Sequence, residues 1–286
     1  MSAWALLTTT WRWDPSVLLG SAALIIAYLL LMRGEGHWGK AMSFISGVLV
    51  VVVALESPLD ELGDTYLFSA HMLQHLLLLL IAPPLLLLGL PGTFWERLLR
   101  NPRIAMLARF LARPALAWVI GMGTIWVWHA PALYNAALAD EGIHILEHLM
   151  FLISATIFWW PVLSPRPEMQ MEPLQGIPYL FGAAASSAIL GILLTFTPPG
   201  LYPQYLHPVD ELRILPLLRE QWGLSPRTDQ QIGGLLMWVP GGLIYLSGIL
   251  LSLGRWYRQE GGVVQAGGTD SGARSGPAQI AGSEIG

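Results

Sequence analysis

Two short stretches of the chain set imidazoles four residues apart beside long apolar runs: "HMLQH", with His71 and His75, and "HILEH", with His144 and His148. Residues four apart on a helix lie on one face with Cβ atoms about 6 Å apart, so each pair can hold one metal ion between two ring nitrogens. Glu147 occupies the fourth place of the second motif and can serve as a ligand or an outer partner; Gln74 holds that place in the first. His129 closes the run "WVWH", Met72 lies about 100° round a helix from His71, and Asp229 and Met237 flank the start of the last apolar segment. Asp229 fits three roles: ligand, proton relay or helix cap. Ionisable side chains next to membrane spans are costly and mark function by default. Imidazole suits copper, zinc, iron and nickel, and a nearby thioether adds a preference for copper. Two facing histidines can also hold a heme. "HILEH" further matches the His-x-x-Glu-His pattern of zinc peptidases, in which the glutamate activates water.

Composition narrows the choice. The chain of 286 residues has no cysteine, which removes disulfides, thiolate metal sites and cysteine nucleophiles. A formal charge of −4 without a basic stripe argues against nucleic acid as a partner. Only 12% of residues are charged and 54% are hydrophobic, half the usual charge of a soluble domain, so membrane lipid is the expected surrounding.

The elements that must position these residues are apolar helices. A spanning helix needs roughly 20 mostly apolar residues. Seven segments qualify: 17–32, 41–55, 66–90, 114–129, 142–163, 177–197 and 231–253. Pro83-Pro84 predicts a bend in the third, and Pro240-Gly241-Gly242 loosens the seventh. The run "GAAASSAILG" in the sixth reads as a close-packing face. Arginines and Lys40 crowd the odd connections and the end of the last span, whereas "ESPLDELGD" and "ADEG" lie in the even ones. By the positive-inside rule the N-terminus is outside and the C-terminus inside. The fold class is therefore an all-α integral membrane protein, a seven-helix bundle with a membrane domain at 1–258. The Gly, Ala and Ser-rich segment 259–286 is expected to be a disordered cytoplasmic tail. "MSAWALLTTTWRWD" lacks a basic n-region and is not expected to be a removable signal peptide.

This topology brings His71, His75, His129, His144 and His148 to one depth near the outer face, with Asp229 at the mouth of the last span and Met237 two turns deeper. His37 and His207 fall in loops. Few polar groups mark the inner half, which counts against a transporter with a continuous path.

In this order, "HMLQHLLLLLIAPPLLLLGLP", "WVWHAPALYNAAL", "HILEHLMFL", "FWWPV" and "DQQIGGLLMWVPGG" make residues 66–252 resemble the bacterial CtaG-type family of cytochrome c oxidase assembly factors. The resemblance implies a multi-pass protein of the bacterial plasma membrane that helps mature a heme-copper oxidase, with oxidase subunits as partners and copper as the metal handled. His71, His75, His129, His144, His148 and Asp229 fall inside the matching motifs; their role as ligands rests on depth and spacing. A heme-binding electron carrier or quinone oxidoreductase is the alternative, followed by a membrane zinc peptidase.

Overall fold

Among the residues described, 2–32 and 38–270 with side chains to residue 260, the computed structural model is all helix and carries no strand. His37 lies outside the described residues. The principal helices are α1 (Ala3–Thr9), α2 (Pro15–Leu31), α3 (Trp38–Glu56), α4 (Phe68–Gly89), α5 (Pro102–Leu111), α6 (Pro114–Trp128), α7 (Pro131–Ala139), α8 (Glu141–Leu163), α9 (Pro173–Phe196) and α10 (Pro226–Asp270). Each of the seven expected apolar segments is helical. The expected tail begins inside α10, whose backbone runs to Asp270, and residues 271–286 lie outside the described residues.

Length decides which helices reach across a bilayer. Five are long and apolar enough: α3, α4, α8, α9 and α10. The pair α5 and α6 counts as a sixth only if taken as one span bent by 71°. With 17 residues, α2 rises about 25 Å, short of a hydrocarbon core of about 30 Å.

Local chemistry fixes the helix ends. Asp14 caps α2 by accepting the Ser16 amide at 2.7 Å, and proline stands at the first helical position, where no donor is needed. Asp140 caps α8 through the Ile143 amide at 2.9 Å, and Ser225 starts α10 by accepting from Thr228 N at 3.1 Å. The start of α4 has no such local cap. Asp229, 160 residues downstream in α10, accepts from the amides of Phe68 and Ser69 at 2.8 and 3.1 Å and from the Ser69 hydroxyl at 2.5 Å. Orphan amides at a helix start need such an acceptor, and here a second helix supplies it.

Immediately before its prolines, α4 carries a π turn, Leu77–Ile81. Pro83 has no amide to donate to the Leu79 carbonyl, and the indole Nε1 of Trp159 in α8 donates to that oxygen instead, at 3.2 Å. Close approach of α9 and α10 depends on glycine. A Cβ on Gly191 would stand 2.7 Å from the Gly234 carbonyl oxygen, so no larger residue fits without moving a helix. The main core runs through Phe151, Phe158, Trp159, Leu180 and Tyr245, and it wedges α8 among α4, α9 and α10.

Candidate metal centre

Helix periodicity brings His71 and His75 onto the face of α4 that meets His144, Glu147 and His148 on α8. Their rings form a continuous cluster: centroids lie 4.2 Å apart for His71–His75, 4.1 Å for His144–His148, 5.4 Å for His71–His144 and 5.9 Å for His75–His148. His71, His75, Glu147 and His148 each offer one ligand atom within 4.8 Å of the others. All four are buried, His71 and Glu147 completely. The Glu147 carboxylate lies between the α4 rings, with one oxygen 3.7 Å from His71 Nε2 and the other 3.7 Å from His75 Nε2. These spacings are too long for hydrogen bonds, and both Glu147 oxygens and the Nε2 atoms of His71, His75 and His148 have no hydrogen-bond partner in the protein. Buried polar atoms are otherwise nearly always paired, so convergent unpaired nitrogens and carboxylate oxygens are what an ion would require.

A second group adjoins the first. Asp64, from the π turn Leu62–Tyr66, places a carboxylate oxygen 3.3 Å from His144 Nε2, and Asp64, His71 and His144 also bring one ligand atom each within 4.8 Å. His71 belongs to both groups. Arg12 reaches the same place from the turn after α1, pairing with Asp60 at 2.9 Å and Asp64 at 3.5 Å. Burial, reinforced by the Asp60 charge, pushes the Asp64 carboxyl up to about 8; burial likewise raises Asp60 to about 6, against the pull of Arg12.

His129, at the end of α6, joins neither group directly. Its ring meets His75 at 5.6 Å, and its Nε2 faces the Met72 sulfur at 3.4 Å. Nδ1 lies 2.7 Å from the Ile125 carbonyl, an acceptor that requires the proton on Nδ1 and leaves the Nε2 lone pair free. Met72, His75, His129 and Met237 line a small cavity of about 30 Å³, room for about one water molecule. The expected thioethers thus sit beside the cluster, on the side away from Asp64.

Two residues singled out in the sequence lie away from the cluster. Asp229 is not at the cluster; its carboxylate is used in capping α4, and the helix it caps is α4, not its own. Gln74, despite matching Glu147 in sequence, points elsewhere, donating to Asp60 Oδ1 at 2.6 Å and the Ala54 carbonyl at 2.9 Å. The exposed His207 takes no part. Conversely, sequence reasoning missed Asp64 and Arg12. Asp64 lies in a π turn separated from α4 by the extended Leu67, so helical spacing from His71 offered no signal for it. A tyrosine group also escaped notice: Tyr134 packs on His71 with centroids 5.0 Å apart and stacks on Tyr202 at 3.9 Å, while the hydroxyls of Tyr202 and Tyr205 donate to the carbonyls of His129 and Gly63.

Comparison with known proteins places this architecture. The sequence profile described as cytochrome c oxidase caa3 assembly factor matches residues 23–259. Uncharacterized proteins of Mycobacterium leprae, Mycobacterium bovis and Mycobacterium tuberculosis are each 25% identical over 276 residues, covering 88% of this chain and 40% of theirs. The chain therefore spans less than half the length of these relatives. No solved structure matches.

Proposed function

Since the chain belongs to the cytochrome c oxidase caa3 assembly factor family, we propose that it serves oxidase assembly as a non-catalytic membrane protein that binds copper and passes it to an oxidase subunit. The observation that carries this reading is the buried meeting of His71, His75, His148 and Glu147, with unpaired ligand atoms within 4.8 Å of one another. Three imidazoles and a carboxylate suit a transition-metal ion. Met72 and Met237 next to them favour copper over zinc and give departing copper(I) a soft ligand. Transfer between proteins proceeds by ligand exchange, and a shell without thiolates releases its ion more readily.

The alternatives gain less support. The rings contact one another directly, at centroid separations of 4.1–5.9 Å around the cluster, which leaves no slot for a macrocycle between facing histidines. Glu147 is fully buried between His71 and His75 instead of facing a cleft that could admit a peptide. In the membrane we read α2 and α6 as further, short spans, giving seven with the N-terminus outside. The metal cluster then lies near the outer face of a bacterial plasma membrane, where an oxidase subunit could dock.

The test is copper per protein after loading with copper(I) and gel filtration, in detergent. Wild type retains bound copper, and the His71→Ala/His75→Ala double variant loses it. Equal copper in both removes the cluster from the function.

A further inference from the structure

The four-ligand group is sealed, so an ion must reach it by some path. Of the two cavities that touch the cluster among the described residues, the roomier is a surface depression of about 260 Å³ bordered by Arg12, Asp64, Glu141, His144 and Gln204. Two residues that border it each bury an atom with no hydrogen-bond partner, Asp64 Oδ1 and His144 Nε2, and the His144 residue is 6% exposed. From there the chain of ligands is unbroken. Asp64 and His144 approach to 3.3 Å, His144 touches His71, and His71 touches Glu147.

We propose that Asp64, His144 and His71 form an outer station through which copper enters, that His71 hands the ion on to the buried group, and that Arg12 is the cation the ion displaces. The inference rests on the copper-binding reading and adds the route and its gate. Charge explains the gate. Arg12 is 40% exposed by side chain and holds Asp60 and Asp64 through contacts that solvent and salt weaken, so an arriving cation competes for the same carboxylates. Ligand type explains the direction. A hydrated ion first meets a carboxylate and an imidazole at the surface, then a group richer in imidazole that is closed to water. The shared His71 explains the count. Two cations on one buried imidazole would repel strongly at low dielectric, so the stations are occupied in turn.

The experiment follows loading of the full chain in detergent by stopped flow, with copper(I) supplied as its bicinchoninate complex and the loss of that colour as the readout. Three variants are compared with wild type: Asp64→Asn, Arg12→Gln and His148→Ala. Asp64→Asn, which removes one ligand from the outer station, is expected to slow loading by about tenfold or more. Arg12→Gln is expected to speed loading and to flatten its dependence on salt. His148→Ala, in the buried group alone, lowers the final content. Wild-type rates in both Asp64→Asn and Arg12→Gln overturn the entry route while leaving the copper site intact. Should Asp64→Asn fail to fold, Arg12→Gln decides by itself, since an unchanged rate and salt dependence refute the gate. No uptake by wild type overturns the copper reading and this inference with it.

Discussion

Glu147→Gln should push affinity and stability in opposite directions. The side chain keeps its shape and loses its charge in the middle of the cluster. The Glu147 oxygens lie 3.7 Å from the ring nitrogens of His71 and His75, which sets an outer bound on the separation of charges at this site. One pair of unit charges at that distance is worth about 4 kcal/mol at an effective dielectric of 20, or about three powers of ten in affinity. The glutamine carbonyl returns part of this, so the expected weakening for copper(I) is about 10²- to 10³-fold. In metal-free protein the sign reverses. Both Glu147 oxygens are buried without hydrogen-bond partners, an arrangement that costs about 1–3 kcal/mol, and the neutral amide relieves some of it. Competition titration against bicinchoninate gives the affinity, and thermal unfolding of chelator-treated protein in the same detergent gives the stability. An affinity within threefold of wild type, or a variant destabilised in the metal-free state, would refute the assignment of Glu147 as a ligand kept at the expense of stability.

Other outcomes follow from the same geometry. Asp229→Ala removes three hydrogen bonds at the start of α4 and should lower stability by about 2 kcal/mol, read as a fall in Tm, and with it the alignment of His71. His129→Ala leaves the four-ligand group complete, so copper content should hold while release to a competing chelator changes; loss of the ion itself would place His129 among the ligands. Trp159→Phe frees the Leu79 carbonyl at the π turn and should cost about 1 kcal/mol without changing copper content. The Asp64 carboxyl, pushed up to about 8 by burial and by Asp60, titrates far above its ordinary 3.8, so it opposes folding increasingly as pH rises from about 4 through 8. The Tm of metal-free Asp64→Asn relative to wild type should therefore climb across that window, and a pH-independent difference would show that Asp64 ionises normally.

Periodicity and hydropathy by themselves determined the helices and the two histidine pairs. Apolar length places a helix whatever its neighbours, and a spacing of four puts two rings on one face before any tertiary contact forms. That is why the pairs in "HMLQH" and "HILEH" were legible and why all seven apolar segments are helical. Packing between helices decided the rest. Gln74 and Glu147 hold the same place in matching motifs, yet the rotation of each helix against its neighbours turns one toward Asp60 and the other into the cluster. Asp229 caps a helix 160 residues away because α10 crosses the start of α4 there, an event that no local pattern encodes. Asp64 joins the site, and Arg12 faces it, only because the chain folds back over the bundle mouth. Contacts within one helix depend on spacing along the chain, whereas contacts between helices depend on crossing angle and rotation, which many distant residues set together.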